Sequence, residues 1–375
     1  MVTETKNPPV EKKAKVDYAI LPGQDDQGNP IFSLLVKRTY DIKPGLALAR
    51  AAADEKLRPI DEYYDMGDPQ TATVKYESDL VPFKSHTDVV FIGKAFAPGN
   101  TPVTMMDVGI QVEGLGAKVI RVIGNRRCIF QAGRPPLFTQ PVPFTEMEIR
   151  YENAYGGKDK KSNPDNPFHF PSNDMGKGMV LKNKKELVEG LELPNLEDPR
   201  DLLTPEKVIL DTPEMWPRQP MPQGLGWFQR TWYPRSFFAG SCPAYVDPGT
   251  VTKEEFLGYV QKDHIALSRK FKLPGFHTRF QQGASPGLYF PLLKGNETFR
   301  LRGLTKEGFL QFQLPDEKPG MKVDIGFGAK DLEPVLHTVM IRAEVNQVDL
   351  VWRGSQPYPG IDWLPEMTTL VVEAD

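Results

Sequence analysis

Hydrophobic and polar positions alternate with period two along several short stretches of the chain, and that alternation predicts strands. The first covers 31–42. Ile31-Phe32-Ser33-Leu34-Leu35-Val36 is largely apolar, Arg38, Tyr40 and Ile42 then alternate with smaller or polar groups, and 24–30 supplies the preceding turn. Val89-Val90-Phe91-Ile92, ended by Gly93, reads as a buried strand, because β-branched and aromatic side chains fit a pleated surface and the run is too short for an isolated helix. Val108, Ile110 and Val112 alternate with polar or small residues, and 119–123 follows across Gly114-Leu115-Gly116, a hairpin pattern with a glycine turn. Over 144–151, Thr145, Met147, Ile149 and Tyr151 share one face while Glu146, Glu148 and Arg150 share the other. Further strands are expected at 298–304 and 309–314, then a hairpin of 335–343 with 348–353, Trp352 filling core.

Two stretches carry a helical pattern instead. The alanine-rich run 46–56, bracketed by Pro44 and Pro59, predicts a short helix. Thr252 and Glu255 form a capping box, Phe256, Val260, Leu267 and Phe271 recur at helical spacing, and Pro274-Gly275 stops the segment. His264 lies on that stripe and reads as a hydrogen-bonded core histidine. The expectation is a mainly β fold (β-rich α+β): packed antiparallel sheets, long Gly/Pro loops and one amphipathic helix near 252–273. Its organisation is expected as a flexible tail at 1–14, a β-rich N-terminal domain at 15–245 holding a long loop at 156–226, and a helix with further strands at 246–375.

Composition sharpens the loops and removes some partners. In 375 residues there are 36 prolines and 32 glycines, both of which interrupt helices, so turns and long ordered loops are expected. The loop 156–178 abandons periodicity altogether, and 133–143 is irregular. The 46 basic and 49 acidic residues leave a formal net charge of -3, which gives no nucleic-acid footprint. Cys128 and Cys242 belong to no Cys-x-x-Cys pair and read as buried thiols of a reducing compartment. The polar segment 1–15 lacks a signal-peptide core, and no run approaches a membrane span, so a soluble cytoplasmic protein is expected.

Enzyme templates fail at named points. The chain has no Gly-x-Ser-x-Gly elbow, no phosphate loop ending in Gly-Lys-Ser/Thr, and no Gly-x-Gly-x-x-Gly between strand and helix. His86, His169, His264, His277 and His337 show no His-x-His or His-Glu-x-x-His spacing, so neither a metal nor a cofactor is indicated. What remains is charge at strand ends. Glu77, Asp79, Lys84, His86 and Asp88 lead directly into the apolar block at 89–92. Glu77 or Asp79 with Glu152 could serve as the acid and base of a glycosidase if the strand ends meet; beside Lys84, Arg150 and Arg235 the same carboxylates read rather as salt-bridged sheet ends. Trp227, Phe228, Trp232, Tyr233, Phe237 and Phe238, separated by Arg230 and Arg235, read as a packed loop or as a contact surface.

These residues resemble a family. Glu77-Ser78-Asp79-Leu80-Val81-Pro82-Phe83-Lys84, with Thr87-Asp88-Val89-Val90 and Gly93-Lys94-Ala95, resembles the opening motif of a domain family of unknown function encoded beside type VI secretion effectors. Tyr151-Glu152-Asn153-Ala154-Tyr155-Gly156-Gly157, Asn166-Pro167 and Gly176-Lys177-Gly178 are similar to its second motif. Leu193-Pro194-Asn195-Leu196-Glu197, Trp232-x-Pro234-Arg235 to Ala239-Gly240, Phe276, Phe280, Ala284, Gly295-x-Glu297, Thr338 and Trp352-Arg353-Gly354 continue the likeness in order. It spans nearly the whole chain after the N-terminal segment. The resemblance implies an adaptor or chaperone that holds a protein effector and helps load it onto the spike protein, by binding and not by turnover, with no cofactor, nucleic acid or membrane involved. Candidate partner-binding residues are Glu77, Asp79, Lys84, Asp88, Glu152, Tyr155, Gly156, Gly157, Trp232 and Arg235. Two other classes stay open: a carbohydrate hydrolase using Glu77, Asp79 and Glu152, and a structural component of a phage-like secretion assembly that self-associates through sheet edges.

Overall fold

The computed structural model describes residues 10–12, 16–66, 69–239, 277–324, 328–357 and 370–374. The expected helix at 252–273, His264, Cys242 and the division at 245/246 lie outside the described residues. The fold is mainly β. Its principal strands are β1 (Tyr18–Gln24), β2 (Pro30–Asp41), β3 (His86–Ile92), β4 (Met105–Val112), β5 (Gly116–Ile123), β6 (Leu196–Glu197), β7 (Tyr289–Pro291), β8 (Thr298–Arg302), β9 (Phe309–Gln313), β10 (Val335–Arg342) and β11 (Gln347–Pro357).

A seven-stranded sheet runs β7-β3-β10-β11-β2-β1, with Ala49–Arg50 added against β2. A five-stranded sheet runs β6-β5-β4-β8-β9. The pairing is antiparallel except at β3 and β10, which lie parallel in the register Thr338 to Asp88 through Arg342 to Ile92. That exception makes the larger sheet mixed where an antiparallel one was expected. Both sheets draw strands from either side of 240–276, so each is assembled only when distant parts of the chain meet.

The inner faces of the two sheets share one core. Leu34, Val36, Tyr40, Val339, Leu350 and Trp352 enter it from the larger sheet; Val108, Ile110, Ile120, Phe299, Leu301 and Phe312 enter from the smaller. The outer face of the larger sheet is also covered, and polar groups do much of the covering. Ser33, Lys37, Thr39, Asp349 and Arg353 are all buried there, beneath 54–58 and 77–84. Thr39 donates to Asp349 Oδ1 at 2.8 Å and receives the Glu55 amide at 2.8 Å. A strand buried on both faces shows weaker alternation than one with a wet face, which is why 31–36 reads as nearly continuous apolar sequence.

Two local expectations are corrected. No helix forms at 46–56, because its amides go to strands instead: Gly45 donates to Gln311 O (2.7 Å), Leu48 to Gln313 O (2.8 Å) and Ala51 to Thr39 O (3.0 Å). The strand expected at 144–151 is cut to Glu146–Glu148, paired with Lys94–Phe96, and the chain then turns through a 3-10 segment at Tyr151–Asn153. The long aperiodic stretch after it builds a second core. Phe168, Phe170, Met179, Val188, Trp216 and Phe237 are among its members, with Cys128 buried in it and its thiol pushed up to about 12 by burial.

Candidate functional site

Glu77 opens the segment that leads into β3, and its carboxylate is buried, 3 % exposed. Arg235, on the 3-10 turn Arg235–Ala239, donates to it through Nη2 at 2.6 Å and Nη1 at 3.2 Å, and Arg230 donates to the same carboxylate. The remaining donors of Arg235 go to carbonyls: Nε to Phe280 at 2.8 Å and Nη1 also to Phe228 at 2.6 Å. Burial alone would raise the Glu77 pKa, but Arg235 and Arg230 outweigh it and hold the group below the usual carboxylate range. A general acid needs the opposite shift.

Lys84 and Asp88 form the adjoining pair, Nζ to Oδ2 at 2.7 Å, both inside the protein. Asp88 also receives Gln282 Nε2 and the Gly283 amide, each at 2.8 Å. Lys84 reaches Thr338 Oγ1 at 3.1 Å and lies over the Trp227 ring at 5.2 Å. Gly283 joins the two pairs. A side chain there would come within 2.1 Å of Glu77 Oε2 and 2.7 Å of the Trp227 ring, so only glycine lets the backbone pass between them. One matched polar network therefore ties 77–88 to 227–235 and 280–283.

The other candidates have separate surroundings. Asp79 pairs with Lys37 and accepts the Arg58 amide at 2.8 Å. Glu152 accepts both the amide (2.8 Å) and the hydroxyl (2.7 Å) of Thr73. Tyr155 is buried in the second core, its hydroxyl donating to Gln219 Oε1 at 3.2 Å. Gly156 and Gly157 have φ of 140° and 120°, and a Cβ on Gly156 would lie 2.0 Å from Asn173 O. Trp232 is buried edge-on between Tyr151 and Phe228, donating Nε1 to Asp174 at 3.0 Å. The structure thus brings Glu77, Lys84, Asp88 and Arg235 together, gives Asp79 and Glu152 partners of their own, places Tyr155 in the second core and Trp232 in the first, and buries most of these side chains. Glu77, Asp79 and Glu152 have no bonding partner in common.

Two further lysines carry unusual surroundings. Lys118 on β5 points inward and donates to Pro286 O at 2.6 Å; burial pushes its pKa down to about 7, with Asp198 opposing. Lys177 lines an open cleft of about 500 Å³ with Lys94, Arg126, Arg127, Glu146 and Asn153. Beside the cleft, 125–129 and 137–142 run as an antiparallel ribbon, Ile129 opposite Leu137, the Thr139 amide donating to Arg127 O and the Val142 amide to Asn125 O. Ile129, Leu137 and Val142 on that ribbon are 42 %, 51 % and 58 % exposed. In the sequence Gly176-Lys177-Gly178 stands only as part of a motif, and nothing in its spacing singles out Lys177.

Residues 27–353 match the family model described as "Uncharacterized protein conserved in bacteria (DUF2169)". The chain belongs to that family. Its model covers the polar network, the Lys177 cleft, the whole smaller sheet and the larger sheet apart from β1 and the end of β11. No curated protein and no solved structure matches the chain. Among the described residues, no helix is long and apolar enough to cross a membrane, and no group of three His, Cys, Asp or Glu is placed to hold a metal ion.

Proposed function

We propose that this protein is a non-catalytic adaptor that binds a type VI secretion effector and helps load it onto the spike complex. The observation that carries the reading is the exposed apolar ribbon of Ile129, Leu137 and Val142 beside a charged cleft. Exposed apolar side chains rimmed by polar groups mark contact surfaces, and here they stand on a scaffold in which Glu77, Lys84, Asp88 and Arg235 are matched internally. The secretion setting is supported by the ordered motifs in the sequence and the resemblance they carry; the family match supports a bacterial protein. The hydrolase reading is weaker, since Glu77 is held ionised by two arginines and Asp79 and Glu152 each have their own partners.

Co-purification with the effector and spike protein encoded beside it tests the proposal. A stable complex with wild type, lost in Ile129→Asp/Leu137→Asp and kept in Leu46→Asp, an exposed position off the ribbon, is the expected result. Absence of any complex with folded wild type, effector and spike would overturn it.

A further inference from the structure

Lys177 occupies its position because the backbone leaves it no other. Its amide donates to Ala154 O at 3.0 Å, and it pairs in parallel register with Tyr155 while Gly178 pairs with Gly156. A Cβ at Gly176 would lie 2.5 Å from Asn173 Nδ2 and 2.6 Å from Ala154 O, and Gly178 has φ of 100°. The two glycines let the strand press against 154–156, and the intervening lysine side chain enters the cleft.

Every other cation of the cleft has an anion. Lys94 pairs with Glu146 at 2.9 Å, Arg127 with Glu192 at 3.3 Å, and Arg126 with the buried Glu197. The nearby Arg150 pairs with Glu148 at 3.0 Å and Asp65 at 2.7 Å. Among the described residues Lys177 has no carboxylate within 4.0 Å, and its ammonium contact is the Asn153 amide oxygen at 3.3 Å. Burial lowers its pKa, Glu192 opposing and Arg150 adding to the effect. A half-buried ammonium with one long hydrogen bond is unfavourable, and a bound anion would complete it.

We propose that the cleft around Lys177 receives a single carboxylate from an extended segment of the bound polypeptide, an acidic residue flanked by apolar ones. One unmatched positive charge suits one negative charge, and Glu146, Glu148 and Glu192 around the cleft oppose a dianion such as phosphate. Phe144, Met147 and Leu193 line the same cleft, and the ribbon whose Asn125, Arg126 and Arg127 also line it carries exposed Ile129 and Leu137, which fits a chain better than a small free acid. This inference rests on the adaptor reading and names the chemistry its partner presents there.

The test is an amide chemical-shift titration of the full chain with acetyl-Leu-Asp-Leu-amide, its Asn counterpart and inorganic phosphate, in wild type, Lys177→Gln and Lys177→Arg. Expected are saturable shifts at Asn153 and Lys177 with the Asp peptide, about tenfold weaker or more with the Asn peptide for loss of one charge-assisted hydrogen bond, lost in Lys177→Gln and largely kept in Lys177→Arg. Equal affinity for the two peptides, no saturable shift in wild type, or tighter binding of phosphate would each overturn the inference. Co-purification separates the two readings: Lys177→Gln capturing the whole effector as well as wild type does refutes the carboxylate site alone, whereas wild type capturing nothing refutes the adaptor.

Discussion

Glu77 and Lys177 are both charged residues on short segments outside the main sheets, yet their surroundings differ in kind. Around Glu77 two guanidinium groups meet one carboxylate, Lys84 meets Asp88, and backbone amides and carbonyls take up further capacity. Around Lys177 the neighbouring charges pair with one another and leave the lysine with an amide oxygen. A buried charge without its partner is far more costly than the matched pair is stabilising, so matched networks hold a fold together and unmatched groups invite a ligand. The first arrangement is architecture; the second is an opening.

Removing one member of the matched network is the strongest way to break this contrast. Glu77→Gln leaves Arg235 buried without its counter-ion and should destabilise the protein by about 3–5 kcal/mol, read as a shift in chemical denaturation midpoint. The pH profile carries the same information. Because the folded-state pKa of Glu77 lies below its ordinary value of 4.5, its contribution is full above that value and is lost as pH falls through the lower, folded one. Glu77→Gln should flatten that acid limb relative to wild type; an unchanged limb would show that the arginines do not hold the carboxylate.

Lys118 sharpens the contrast from the other side, because it is buried and among the described residues has no carboxylate partner within ion-pair distance. Free lysine titrates near 10.5 and this one near 7, so between those values the unfolded chain binds a proton that the folded chain does not, and stability rises with pH across the window. Lys118→Met should therefore stabilise most below pH 7, by up to about 5 kcal/mol, and lose most of that advantage towards pH 10 as the wild-type amine becomes neutral and keeps its bond to Pro286 O. Denaturation midpoints of the two proteins at pH 6, 8 and 10 measure this. A constant difference across pH would mean that the amine is hydrated.

The same contrast explains what could be read before the fold was seen. Strands 31–42, 89–92, 108–123 and 298–314 were legible, the first two as short apolar, β-branched runs and the others by period-two alternation, and they return as β2 to β5, β8 and β9 with small changes at their ends. The second core was not, since Phe168, Phe170, Leu187, Val188 and Trp216 follow no period and are gathered by turns, short bridges and close glycine contacts. Alanine content pointed to a helix at 46–56, but backbone pairing with Gln311, Gln313 and Thr39 overrode local propensity. Among site residues, the charges from Glu77 to Asp88 drew notice by clustering in sequence. Lys177 did not, because what distinguishes it is a missing partner, and a missing partner is visible only once Lys94, Arg126 and Arg127 are seen with theirs.

The smallest effect is expected at Lys177 itself, and its sign is what matters. A lysine that braced the structure would leave it weaker when replaced. Lys177→Met keeps an aliphatic stem along the cleft and removes the ammonium, whose hydrogen bond among the described residues is the 3.3 Å one to Asn153. Stability should then stay within about 1 kcal/mol of wild type or rise slightly, since a half-buried unpaired charge has been taken away. A loss of several kcal/mol in the denaturation midpoint would put Lys177 in the same class as Glu77 and close the opening that distinguishes the two regions.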